Sequence, residues 1–173
     1  MWNIHTGKCY CVIEPDVIDP GSTVHCGIHH LTFFPKDPQH LLFVHKCKVQ
    51  QWNINGHQAG LTYDGYDVAF SPDGTQFVVC YVKSVTVQNS DSGAVVIKLH
   101  MADDANSCHC CFSPDGKLVA VLDKSFIHIW DITSSDPHPI EIFYRGHGHI
   151  STLLFSSPSS LISIDQYEFL KFW

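Results

Sequence analysis

Thirteen histidines and eight cysteines in a chain of 173 residues make metal binding the first chemistry to weigh. Imidazole and thiolate both suit zinc and its neighbours. The candidate groups are Cys9-x-Cys11, His29-His30, Cys108-His109-Cys110-Cys111 and His147-x-His149. Structural zinc takes pairs spaced C-x2–4-C on turns, and these groups lack that spacing on a turn. Cys9-x-Cys11 and the Cys108–Cys111 run read as strands. There, alternate residues lie about 7 Å apart on one face and adjacent ones point to opposite faces, so neither is a local chelate. These residues are read as core thiols and loop histidines, with no metal and no cofactor. A zinc site composed across units is the metal alternative. Catalytic patterns are missing as well: there is no G-x-S-x-G, H-E-x-x-H or G-x-x-x-x-G-K-[ST]. Asp136-Pro137-His138 is ordinary turn chemistry. No catalytic residue is assigned, and the chain is not read as an enzyme.

The elements that carry these residues are clearest over 107–131. Residues 107–112, 117–122 and 125–130 are short and rich in β-branched and aromatic side chains. Ser113-Pro114-Asp115-Gly116 separates the first two as a tight turn, and Asp123-Lys124 separates the last two. The stretch predicts an antiparallel meander of three strands.

The meander recurs. Phe34, Phe70, Phe112 and Phe155 stand 36, 42 and 43 residues apart, and each lies 18 residues before Trp52, Gln88, Trp130 or Trp173. An all-β unit of about 40 residues, repeated, points to four-stranded propeller blades. Inner strands such as 77–80 and 119–122 are apolar on both faces, which suits sheets sandwiched between neighbours. The spacing predicts strands at 29–34, 41–45 and 48–52, with a weakly marked outer strand near 57–63. Next come 66–71, 76–81, 84–88 and 94–99. The third unit adds an outer strand at 139–144, and the fourth uses 150–156, 160–164 and 168–173. Residues 8–13 read as the outer fourth strand of a unit whose first three strands are missing, a strand that would complete the last unit.

F-S-P-D-G at 70–74 and 112–116, I-W-D at 129–131 and Gly146-His147 together resemble the WD-repeat β-propellers. The resemblance implies an all-β propeller portion of about four blades of four antiparallel strands, an incomplete ring beside the family's usual seven. It divides the chain into 1–13 (end of a preceding repeat), 14–53 (repeat one), 54–89 (repeat two, degenerate), 90–131 (repeat three) and 132–173 (repeat four). The implied structural positions are Trp2, Phe34, Trp52, Phe70, Asp73, Gly74, Phe112, Asp115, Gly116, Trp130, Asp131, His147, Phe155, Ser163 and Trp173. In the family a His, a Ser or Thr, a turn Asp and a Trp share a hydrogen-bond network. Here His147, Ser163 and Trp173 match, but Tyr167 stands six before the Trp where Asp is expected. Lys46, Val82 and Lys124 occupy that position in the other units.

The resemblance narrows at 88–93 (Q-N-S-D-S-G), 130–137 (W-D-I-T-S-S-D-P) and 155–163 (F-S-S-P-S-S-L-I-S). These are similar to the divergent WD-repeat tails of fungal NACHT-type signalling proteins. In such proteins the resemblance implies that the repeats sense a ligand and restrain a nucleotide switch elsewhere.

Composition bounds the partners. Net charge is −7, and the ten Lys and Arg are dispersed, which disfavours nucleic acid and membrane surfaces. Eight cysteines without an apolar leader are expected as free thiols in the cytoplasm. The expected function is a non-catalytic protein-interaction scaffold or ligand-sensing module, with 14–27, 101–106 and 132–138 as candidate loops and Asp103, Asp104 and Asp136 as their acidic groups. A structural subunit of a constitutive assembly is the alternative, and a metal-binding or enzymatic propeller the second. The partners would be proteins, including the rest of a longer propeller or a second copy that closes the ring.

Overall fold

The computed structural model describes residues 28–55, 58–101, 107–123, 126–143, 150–165 and 167–173. Trp2, the 8–13 strand, Cys9, Cys11, the 14–27 loop, Asp103, Asp104, His147 and His149 lie outside them. The described residues form four antiparallel sheets and no helix. Sheet one runs β1 (His30–Phe34), β2 (Asp37–His45), β3 (Lys48–Asn53) and β4 (Gln58–Asp64). Sheet two runs β5 (Asp67–Phe70), β6 (Gln76–Tyr81), β7 (Ser84–Asn89) and β8 (Val95–His100). Sheet three runs β9 (Ser107–Phe112), β10 (Leu118–Asp123), β11 (Phe126–Asp131) and β12 (Ile140–Phe143). Sheet four has three described strands, β13 (Ile150–Ser157), β14 (Ser160–Asp165) and β15 (Leu170–Phe172). Each sheet keeps its strands in sequence order. The fourth strand expected for the last sheet, 8–13, falls outside the described residues.

Strands apolar on both faces are sandwiched, as expected. Leu42, Val44 and Val49 of sheet one meet Val68, Phe77 and Val79 of sheet two. Val78, Cys80, Val85 and Val87 meet Cys110, Val119, Val121 and Trp130 of sheet three. Ala120, Leu122 and Ile127 meet Ile150, Leu153 and Leu161 of sheet four. The two faces of β6 and β10 therefore serve different interfaces, while Leu41 and Phe43 of sheet one form a further buried cluster with Ile54, against which Trp52 packs. First strands adjoin: β1 touches β5, β5 touches β9, and β9 touches β13.

The two S-P-D-G turns are built alike. Gly74 N–H donates to Ser71 O, and Gly116 N–H to Ser113 O, both at 2.9 Å. Each serine hydroxyl donates to the turn aspartate, Ser71 to Asp73 at 2.7 Å and Ser113 to Asp115 at 2.6 Å. The same hydroxyl accepts the N–H five residues on, from Gln76 at 3.0 Å or Leu118 at 2.9 Å. Hydrogen bonds from Ser71 and Thr75 hold the Asp73 carboxyl down at about 2. Gly74 and Gly116 have φ of 68° and 73°, the left-handed region. Their surroundings differ: a Cβ on Gly74 would lie 2.9 Å from Pro35 Cβ, one on Gly116 no nearer than 3.7 Å to Pro72. Gly116→Ala should therefore cost only the backbone term, about 1–2 kcal/mol. Gly74→Ala should cost more, because the sheet-one turn must also move; urea midpoints of the two variants check the order.

Candidate functional site

The strongest convergence of ionisable groups sits where the first strands adjoin, on side chains from three sheets. Asp67 opens β5 and is only 3% exposed. Its Oδ1 lies 2.9 Å from His30 Nδ1 on β1, and its Oδ2 lies 2.6 Å from His109 Nδ1 on β9. Cys110 N–H also donates to Oδ2, at 3.0 Å. His109 continues the chain: its Nε2 is 3.3 Å from Thr152 Oγ1 on β13. Polar contacts thus run through the first strand of every sheet, with one buried carboxylate at the centre.

Strand geometry explains the placement. A carboxylate at the end of a strand can reach to both sides, whereas Val68 beside it points into the apolar cluster with sheet one. Burial pushes the Asp67 carboxyl up, but the hydrogen bonds from His109 and His30, with their charges, outweigh it. The group lies well below the usual carboxylate range. The hydrogen bond to Asp67 raises His30 above its ordinary 6.5, against a smaller opposing effect of burial. An opposite charge and a hydrogen bond to the charged form favour it in this way, against the cost of burial.

Two other chemistries were open to this cluster. His30 and His109 both belong to the candidate metal groups, and the fold brings them together across sheets. Both turn Nδ1 toward the carboxylate, and among the described residues no group of three or more His, Cys, Asp and Glu side chains is placed to hold a metal ion. Asp67, His109 and Thr152 also stand in the order carboxylate, imidazole, hydroxyl that can activate a nucleophile. Here the carboxylate is shared with a second histidine and a main-chain N–H, and the hydroxyl comes from a different sheet. These contacts span sheet boundaries, which is what a structural tie requires. The nearby thiols are protonated: burial pushes Cys111 up to about 12 and raises Cys110 well above its ordinary value. Cys47, Cys80, Cys110 and Cys111 are free thiols.

The repeat positions occupy a second layer. Phe34 and Phe70 pack with their rings tilted, centroids 4.8 Å apart, across sheets one and two. Phe112 packs in the cluster between sheets two and three, and Phe155 in the one between three and four. Asp131 Oδ1 accepts the Thr133 N–H at 2.9 Å and its hydroxyl at 2.6 Å, closing the β11 turn. Trp173 Nε1–H donates to Ser163 Oγ at 3.1 Å. Trp52 and Trp130 have no hydrogen-bond partner for Nε1 among the described residues. Gln88, in the fourth such position, donates to Thr86 Oγ1 at 3.1 Å. Asp136 is exposed, 3.2 Å from His138.

Counting six residues back from Trp173 reaches Tyr167, but the carboxylate of that turn is Asp165, two residues earlier. Its Oδ1 accepts the N–H groups of Tyr167 at 2.9 Å and Phe169 at 3.0 Å. Its counterpart at the end of β10 is Asp123, and both are buried. His30, Asp67 and Thr152 carry no repeat motif. His30 was legible only as half of the His29-His30 candidate pair, and nothing in the sequence singled out Asp67 or Thr152.

A scan against family models returns no match, and no curated protein matches the chain. No helix among the described residues is long and apolar enough to cross a membrane.

Proposed function

We propose that this chain is a non-catalytic scaffold for protein–protein contact, built as part of a WD-repeat β-propeller. Four antiparallel sheets that repeat in sequence and adjoin through their first strands support that architecture. So do two F-S-P-D-G turns that share the same serine-to-aspartate hydrogen bond.

The observation that carries the binding role is the open side of sheet four. Register sets Leu154, Ile162 and Phe172 abreast, with Ile164 beside Leu170, on the face opposite the one packed on sheet three. Leu154, Leu170 and Phe172 are 44%, 58% and 74% exposed, and Phe169 and Tyr167 next to them are also exposed. The equivalent third strands β3, β7 and β11 each have a fourth strand alongside. An apolar face beside a strand edge that has no partner among the described residues is a docking surface for another β element, by pairing and by sheet packing.

Leu170→Lys with Phe172→Lys tests this. Both side chains are exposed, so stability should stay within about 0.5 kcal/mol of wild type. Association measured by light scattering, and binding of an apolar dye, should fall sharply. A wild type that is monomeric at high concentration and binds no dye would end this reading. The alternative, a structural subunit of a constitutive assembly, uses the same surface and would show as a stoichiometric partner retained through purification. The narrower reading is a sensor region like those of NACHT-type signalling proteins. It requires that the bound partner change on a signal.

A further inference from the structure

The Asp67 cluster joins sheets whose remaining contacts are largely apolar, and apolar packing has no pH dependence of its own in the mild range. We propose that His30, Asp67 and His109 form a latch between the first three sheets that is pH-sensitive through His30, closed when that imidazole carries a proton and loosened when it loses it. Thr152 extends the latch to sheet four through His109.

The geometry supplies what such a device needs. The anion is buried and fixed by Cys110 N–H, so it cannot turn away to water. Its two partners come from different sheets, so each contact it makes crosses a boundary. One partner, His30, is 34% exposed and can exchange its proton with solvent. The titratable groups that face Asp67 are His30 from β1, Cys80 from β6, and His109, Cys110 and Cys111 from β9. The Cys80 thiol reaches only the Asp67 main-chain oxygen, at 3.8 Å. Cys110 and Cys111 stay protonated. β2 approaches β5 through Leu42 and Val44, and β13 brings the hydroxyl of Thr152. His30, the partner open to solvent, is therefore the group that switches.

The sign follows from the directions. His30 is raised on folding, so its contribution is full below 6.5 and fades as pH climbs through the raised value. Asp67 is lowered, so its contribution is present above 3.8 and is lost only in strong acid. The latch is strongest between roughly pH 4 and 6.5 and opens on the alkaline side.

The test compares the full-length wild type with His30→Gln, using urea midpoints from tryptophan fluorescence at about pH 5.5 and about pH 8.5. Wild type should be the more stable at the lower pH, and that advantage should vanish at the higher one. Hydrogen exchange on the wild type should show β1 amides gaining rate relative to β10 amides as pH rises, beyond base catalysis common to both. Midpoints that run parallel with pH would overturn the proposal, as would a constant ratio of β1 to β10 exchange. If His30→Gln fails to fold, an NMR titration of the wild-type imidazoles decides: His30 titrating at or below 6.5 overturns it.

Discussion

Asp67→Asn should destabilise the protein by about 3–5 kcal/mol, the usual consequence of removing one partner from a buried ionic cluster. The carboxylate meets three donors, His30 and His109 at their Nδ1 atoms and the Cys110 N–H. Asparagine keeps one acceptor oxygen and turns an NH2 toward an imidazole, so it cannot satisfy the same set. The charge is lost with it, and His30 then faces a partly desolvated site without a counter-ion. Urea denaturation followed by tryptophan fluorescence measures the loss. A double-mutant cycle shows its origin: His30→Gln should matter in wild type and hardly at all in the Asp67→Asn background. A loss of only a few tenths of a kcal/mol, or additive effects, would mean the sheets are held by apolar packing alone.

How much of this was legible beforehand depended on the kind of signal. The all-β architecture followed from short β-branched runs and turn tetrapeptides, because strand period and turn chemistry are local. The fixed spacing of 18 residues from phenylalanine to tryptophan marked the repeat well but hid a compensation. In sheet three, Phe112 pairs with Val119 and Val119 with Trp130; in sheet four, Phe155 pairs with Leu161, and Leu161 with Trp173 through main-chain bonds. The first hairpin is one residue shorter in sheet four and the second one residue longer. Equal totals conceal that exchange: six residues back from Trp130 lies one past Asp123, whereas six back from Trp173 lies two past Asp165. The Asp67 cluster was illegible for a different reason. Its members come from strands more than thirty residues apart, and only packing of first strands brings them together. His30 and His109 stood among possible ligands, yet nothing in the sequence named the carboxylate between them.

The same register makes the tryptophans informative. Trp130 is completely buried between sheets two and three, and Trp130→Ala should cost about 3–5 kcal/mol through lost contacts and the cavity left behind. Trp130→Phe should cost far less, about 1–2 kcal/mol, because the indole N–H it removes has no partner among the described residues. Trp173 differs, since its N–H is held by Ser163. Register places Ser163 two residues beyond Leu161, the partner of Trp173, and the residue two beyond the partner of Trp130 is Val121. Val121→Thr should then offer the Trp130 N–H the acceptor that sheet four already provides. A buried threonine hydroxyl normally costs about 1–3 kcal/mol, as expected for Val68→Thr in the cluster between sheets one and two. At position 121 the new hydrogen bond should offset about 1 kcal/mol of that. Measured midpoints in the order wild type, Val121→Thr, Val68→Thr would establish that sheets three and four share one construction, with a single oxygen missing from the former. Equal losses at 121 and 68 would mean that the indole N–H is out of reach of strand β10, and that the tryptophans share a position but not a role.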